Sequence, residues 1–136
     1  MAYAAQIDLE NQYGVDLVTR LADYDGDGVA DQSAIDDALT SAQSIVDAYL
    51  AARYPVPLAN PPPVVRDLTV DIAWYRLAHN RLKQTAEMRL RYEDAIKLLT
   101  AVAGGKASIG LDSTGEGVSD DQTGKFRAKT EWLQRA

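Results

Sequence analysis

Apolar and polar residues alternate at helical spacing along most of this chain. The clearest stretch runs from about Ser33 to Arg53. There Ile35, Leu39, Ala42, Ile45 or Val46, and Tyr49 or Leu50 recur at steps of three and four, which places them on one stripe of a helix. A second long helix is predicted from Pro62 to Asn80. Val65, Leu68, Ile72, Tyr75 and His79 form its stripe, and Val70, Ala73, Trp74 and Leu77 cover much of the rest. A helix apolar nearly all round is either central or covered on its second side by a partner. A third is predicted from Thr85 to just before Gly104-Gly105, with Met88, Tyr92, Ala95 or Ile96, Leu99 and Val102 or Ala103 on one face. Thr85 suits the N-cap and the glycine pair suits the stop. Glu93 and Lys97 stand one turn apart on its exposed side, in the favoured order for an ion pair. Two short helices precede these, over residues 5–13, stopped by Gly14, and Asp16–Ala22, with Asp16 as the cap. Ile109-Gly110-Leu111 reads as a short strand. The fold class is therefore all-α: a compact bundle of four or five helices over residues 1–111.

The joint between the two longest apolar stretches is unusual. All five prolines of the chain lie in Arg53-Tyr54-Pro55-Val56-Pro57-Leu58-Ala59-Asn60-Pro61-Pro62-Pro63. Proline fixes its own φ and biases the preceding residue away from helical geometry, so Tyr54 should end the incoming helix. Proline fits the first turn of the next one, where a missing N–H costs nothing. The result is a stiff elbow with little entropy to lose on binding. Tyr54, Val56 and Leu58 are its candidate interface residues, with Val56 and Leu58 expected to be exposed.

Charge is laid out unevenly. The net charge is −6, yet residues 1–52 hold ten acids against Arg20 alone. Residues 53–106 are net basic. Four of the acids, Asp23, Asp25, Asp27 and Asp31, occupy positions 1, 3, 5 and 9 of a calcium-loop spacing, with Gly28 at the turn and Val29 offering its backbone carbonyl. Oxygen ligands this dense repel one another without a cation, so calcium is the candidate cofactor. Position 12 departs from the pattern, being Ala34 where a bidentate glutamate belongs. The same residues also make sense as a polar turn tightened by Asx-type hydrogen bonds.

Residues 112–124 are rich in Gly, Ser, Thr and Asp, like a flexible linker. The last twelve residues change character and carry Lys125, Phe126, Arg127, Lys129, Trp132 and Arg135. Aromatic and basic residues so interleaved read as a docking arm, with Phe126 and Trp132 as anchors and Lys125, Arg127 and Lys129 for an acidic partner surface or DNA phosphates. No cysteine is present, so disulfides and thiolate metal sites are excluded. No apolar run approaches transmembrane length, and no membrane partner is expected. His79 is the lone histidine, and no phosphate-cradling loop or nucleophile elbow occurs, so no enzyme is expected. Asp71, on the apolar helix, needs partners, and Arg53 or Arg76 are the candidates.

Taken together, Tyr3-Ala4-x-x-x-Asp8-Leu9, the aspartate loop, the Arg-Tyr-Pro-Val-Pro-Leu elbow, Asp71-Ile72-Ala73-x-Tyr75-Arg76-Leu77, Arg91-Tyr92-Glu93-Asp94-Ala95 and Gly105-Lys106-x-Ser108-Ile109-Gly110-Leu111 resemble the small head–tail connector (adaptor) proteins of Mu-like phages and prophages. The resemblance covers about Tyr3 to Leu111. It implies a non-enzymatic virion protein at the head–tail junction. Such a protein forms a dodecameric ring below the portal, extends the channel through which genomic DNA passes, and docks the next neck or tail protein. Outside that resemblance, the composition of the arm from Asp112 to Ala136 is that of a docking strap for another protein, with the portal as the expected partner. The competing class, resting on the aspartate loop, is a small soluble calcium-binding scaffold or regulatory module.

Overall fold

The computed structural model describes residues 2–80 and 83–111. It contains five helices in the order α1 (Gln6–Tyr13), α2 (Val15–Ala22), α3 (Gln32–Leu50), α4 (Pro63–Asn80) and α5 (Ala86–Ala103). The helical periodicities therefore fold as the sequence pattern predicts, with small shifts at the ends. Gly14 both stops α1 and precedes α2. Its φ of +91° is a conformation that side chains with a Cβ rarely adopt. Its N–H donates to the Glu10 carbonyl and its own carbonyl accepts from Val18. Gly14, and not Asp16, is thus the boundary residue, and Asp16 sits in the first turn of α2. Helix α3 ends at Leu50, three residues short of Arg53. Residues 51–53 continue as a turn whose bonds, such as Tyr54 N–H to the Leu50 carbonyl at 2.8 Å, close the last helical turn.

Helix α4 is the centre of the bundle. It packs chiefly on α3 and α5, and also meets α1 and α2. Val65, Ile72, Ala73, Leu77 and Ala78 are fully buried, and Trp74 nearly so. Each fully buried Val, Ile or Leu side chain among these stabilises the fold by roughly 1.5–3 kcal/mol relative to exposure. Thr69 is buried on the same helix, and its Oγ1 donates to the Val65 carbonyl at 2.7 Å. The nearly all-round apolar character is accounted for within the subunit, because four helices surround α4.

Helix α5 begins as expected. Thr85 Oγ1 accepts from the Met88 N–H at 3.2 Å. It ends in a tight closure in which Lys106 N–H reaches back to the Ala101 carbonyl at 2.8 Å. Glu93 pairs back with Arg89 at 3.1 Å, not forward with Lys97, and Glu87 pairs with Arg91 at 3.2 Å. No strand forms among the described residues. Ile109 and Leu111 instead seal the core, at 5% and 7% exposure.

Candidate functional site

Two loops concentrate the unusual chemistry, and they lie at opposite ends of α3. The first joins α2 to α3. Its mouth is closed by the Asp31 N–H donating to the Ala22 carbonyl at 2.8 Å. Inside, Asp23 organises the turn. Its Oδ1 accepts from Gly26 at 2.9 Å and Asp27 at 3.1 Å, and its Oδ2 accepts from Gly28 at 2.8 Å. Asp27 Oδ1 accepts from the Val29 N–H at 2.9 Å, and Asp31 Oδ2 from the Tyr24 N–H at 2.8 Å. The Gly28 φ of +82° supplies the left-handed turn that position needs.

One oxygen from each of Asp23, Asp25 and Asp27 lies within 4.8 Å of the other two. Oxygens about 2.4 Å from a shared calcium are separated by up to about 4.8 Å, so the three carboxylates fit a calcium ion. Asp31 is not in this group, and its carboxylate caps the Tyr24 amide. Val29 enters the loop through its N–H, and its side chain is exposed. The electrostatics agree with the crowding. The Gly28 amide holds the Asp23 carboxyl below the usual carboxylate range. At Asp25 the Asp27 amide pulls downward, but lost hydration and the neighbouring Asp27 and Asp23 carboxylates outweigh it and push that carboxyl up. A cation relieves this repulsion directly.

The second loop is the elbow. Its sequence suggests a freely projecting loop, and the structure corrects that. Tyr54 is 6% exposed and Leu58 only 1%, so both belong to the subunit's own core. Leu58 is buried because the chain between two packed helices must turn inward to cover their ends. Its N–H donates to the Tyr3 hydroxyl oxygen at 2.8 Å, and that hydroxyl in turn donates to Asp47 of α3. The Tyr3 N–H donates to Gln43 Oε1 at 3.0 Å. Burial first, and then the Asp47 carboxylate, push the Tyr3 hydroxyl up from 10.0 to about 12. The N-terminal segment therefore latches the elbow to α3. Of the three elbow residues singled out from sequence, only Val56 remains at the surface, flanked by exposed Pro55 and Pro57. The Val56–Pro57 peptide bond is cis.

Two further clusters escaped the sequence reading. Asp71 pairs with neither Arg53 nor Arg76. Its Oδ1 accepts from the Tyr13 hydroxyl at 2.6 Å, and the Tyr13 ring stacks on Trp74 at 4.3 Å. Burial raises the carboxyl of Asp71, while the Tyr13 hydrogen bond and the Arg91 charge pull it back. Burial and the Asp71 carboxylate likewise raise the Tyr13 hydroxyl. The signal available was Tyr13 at the end of one helix and an acid in the middle of an apolar one, fifty-eight positions apart. Elsewhere Tyr75 stacks on Tyr92 at 4.4 Å and on His79 at 5.8 Å. With Arg76 they line a cleft of about 380 Å³ between α4 and α5.

Lys125, Phe126, Arg127, Lys129 and Trp132 lie outside the described residues. Among the described residues no helix is long and apolar enough to cross a membrane.

Comparison with known proteins places this geometry in context. The family model described as Bacteriophage Mu, Gp36 matches residues 3–128. The Mu-like prophage FluMu protein gp36 of Haemophilus influenzae is 33% identical over 119 residues, covering 88% of this chain and 83% of its own length. Gene product J of Escherichia phage Mu is 32% identical over 116 residues, covering 83% and 79%.

Proposed function

The chain belongs to the bacteriophage Mu Gp36 family, and from that premise we propose that it is a structural head–tail connector. It forms a ring beneath the portal, extends the DNA channel and offers a docking surface to the next neck or tail protein. Its work is mechanical and needs no catalytic group. The observation that supports this reading most is the elbow. A loop with five prolines is anchored at Tyr54, Leu58 and the Tyr3 hydroxyl, and it holds Pro55-Val56-Pro57 outward. Such a loop binds with little ordering cost, which is what a repeated contact in an assembly requires.

Electron microscopy of the purified protein mixed with the portal tests the reading. Ring-shaped density added to one face of the portal is the expected result. A portal unchanged at saturating protein overturns it.

The convergence of Asp23, Asp25 and Asp27 supports a second element, a single calcium ion stiffening the α2–α3 loop within the connector. A free-standing calcium module is less well supported. The loop gathers three carboxylates and has Ala34 at the position where a bidentate ligand would complete the cage.

A further inference from the structure

Among the described residues the large exposed apolar side chains are not spread evenly. Of seven such residues, five lie within α1, α2 and the loop after them, namely Ile7 at 58% exposure, Val15 at 58%, Leu17 at 49%, Tyr24 at 40% and Val29 at 63%, while Val56 and Leu90 lie elsewhere. Single exposed apolar residues are ordinary. Five within residues 7–29 leave apolar area that something else can cover. The same stretch is strongly acidic. Asp16 stands between Val15 and Leu17, and residues 7–29 hold six acids against Arg20 alone, a net of −5. A partner for this surface must bring aromatic or aliphatic anchors together with positive charge.

We propose that residues 125–136 of a neighbouring copy dock on α1 and α2. That segment carries Phe126 and Trp132 with four bases and only Glu131 against them, a net of +3, so it is complementary in both respects. Length permits the contact. Residues 112–124 span up to about 45 Å when extended, whereas α3, the longest helix, is about 28 Å long. The segment can therefore cross its own subunit and reach the next. Charge favours a contact between copies. Subunits of net charge −6 repel one another, and a junction that joins the acidic surface of one copy to the basic segment of the next turns repulsion into attraction. Repeated head to tail, such a contact closes a ring. The inference rests on the ring reading above, and it assigns the basic segment to the adjacent subunit in place of the portal.

The test uses full-length protein with a photoreactive phenylalanine analogue in place of Trp132, prepared as an equal mixture of isotopically heavy and light copies. Irradiation at high protein concentration should give heavy–light cross-links from position 132 to residues 7–29. Val15→Ser with Leu17→Ser should lose them while the circular dichroism stays unchanged, since both positions are about half exposed. Cross-links confined to single copies, cross-links to other surfaces, or full cross-linking in the double variant would overturn the docking. Ring formation on the portal is scored separately by microscopy. Rings without these cross-links remove the strap and leave the connector reading standing, whereas cross-links without rings do the reverse.

Discussion

The aspartate loop and the proline elbow are of similar length, and they are organised in opposite ways. The aspartate loop is built from within. Its hydrogen bonds run from its own amides to its own carboxylates, and residues 24–29 are exposed. The elbow is built from outside. It is held by residues far away in sequence, since Tyr3 is fifty-five positions from Leu58. A loop of the first kind responds to ions and protons. A loop of the second kind responds to the packing of the whole subunit, and keeps its shape when one surface residue changes. The contrast suits the connector proposed above, with one fixed contact surface and one adjustable end.

The largest test of that contrast is Leu58→Ala. Leu58 is fully buried, so removing its side chain leaves a cavity and should cost about 2–5 kcal/mol, read as a drop in the denaturation midpoint. Val56→Ser, two residues away at the surface, should stay within about 0.5 kcal/mol of the parent. It should instead weaken attachment to the assembly. A similar loss of stability for both would mean that the elbow is not anchored as described.

The next effect concerns the latch. Tyr3→Phe removes an oxygen that accepts from the Leu58 amide and a proton donated to Asp47, at a cost of about 1–3 kcal/mol. The pH dependence has a definite sign. The native state holds the Tyr3 proton more tightly than the unfolded chain, with the value raised from 10.0 to about 12. That stability is fully present below pH 10 and is lost as pH climbs from 10 toward 12. Tyr13, also raised, adds to the same alkaline slope. Urea melts between pH 9 and 12 should show a shallower decline for Tyr3→Phe than for the parent. An identical slope would mean that Tyr3 is not buried against Asp47.

Much of this was legible beforehand, and the exceptions share one physical cause. The helices were readable because helical periodicity and caps are local. Ile35 to Leu50 and Met88 to Val102 repeat every three or four residues, and Thr85 caps the first turn of α5 right beside it. The turn of the aspartate loop was readable for the same reason, since its carboxylates and the amides they accept from lie within nine positions. What failed was non-local. Leu58 looked exposed because nothing near it in sequence reveals that Tyr3 and the end of α3 will enclose it. Asp71 seemed to need an arginine nearby, yet its partner is Tyr13 on another helix. Proline density marked the turn between α3 and α4 but could not say which of its residues faces inward.

A smaller effect is expected in the aspartate loop itself. Gly28→Ala places a Cβ on a residue with φ of +82°, which costs about 1–2 kcal/mol in the left-handed region. No atom outside the loop comes within 4 Å of that Cβ, so the penalty is backbone strain alone. The strain should loosen the turn and leave the core melt cooperative. A broadened, multi-step transition would show that the loop is coupled to the bundle more tightly than its exposure indicates.

The smallest expected effect is also the most specific. Three carboxylates and no ligand at Ala34 make a weak site, so a dissociation constant of order 10⁻⁴–10⁻³ M is the reasonable expectation. At a few millimolar calcium, mass action then adds roughly 0.5–2 kcal/mol, a rise of a few degrees in melting temperature. The shift should shrink as pH falls, because the Asp25 carboxyl is already raised and a proton competes with the ion for it. Asp25→Ala with Asp27→Ala should abolish the shift. It should also remove the repulsion at Asp25, so the variant without calcium should be no less stable than the parent without calcium. That pair of results separates an ion site from a hydrogen-bonded turn. If the turn were all that mattered, the double substitution would cost two Asx-type bonds, to the Asp27 and Val29 amides, and calcium would change nothing in either protein.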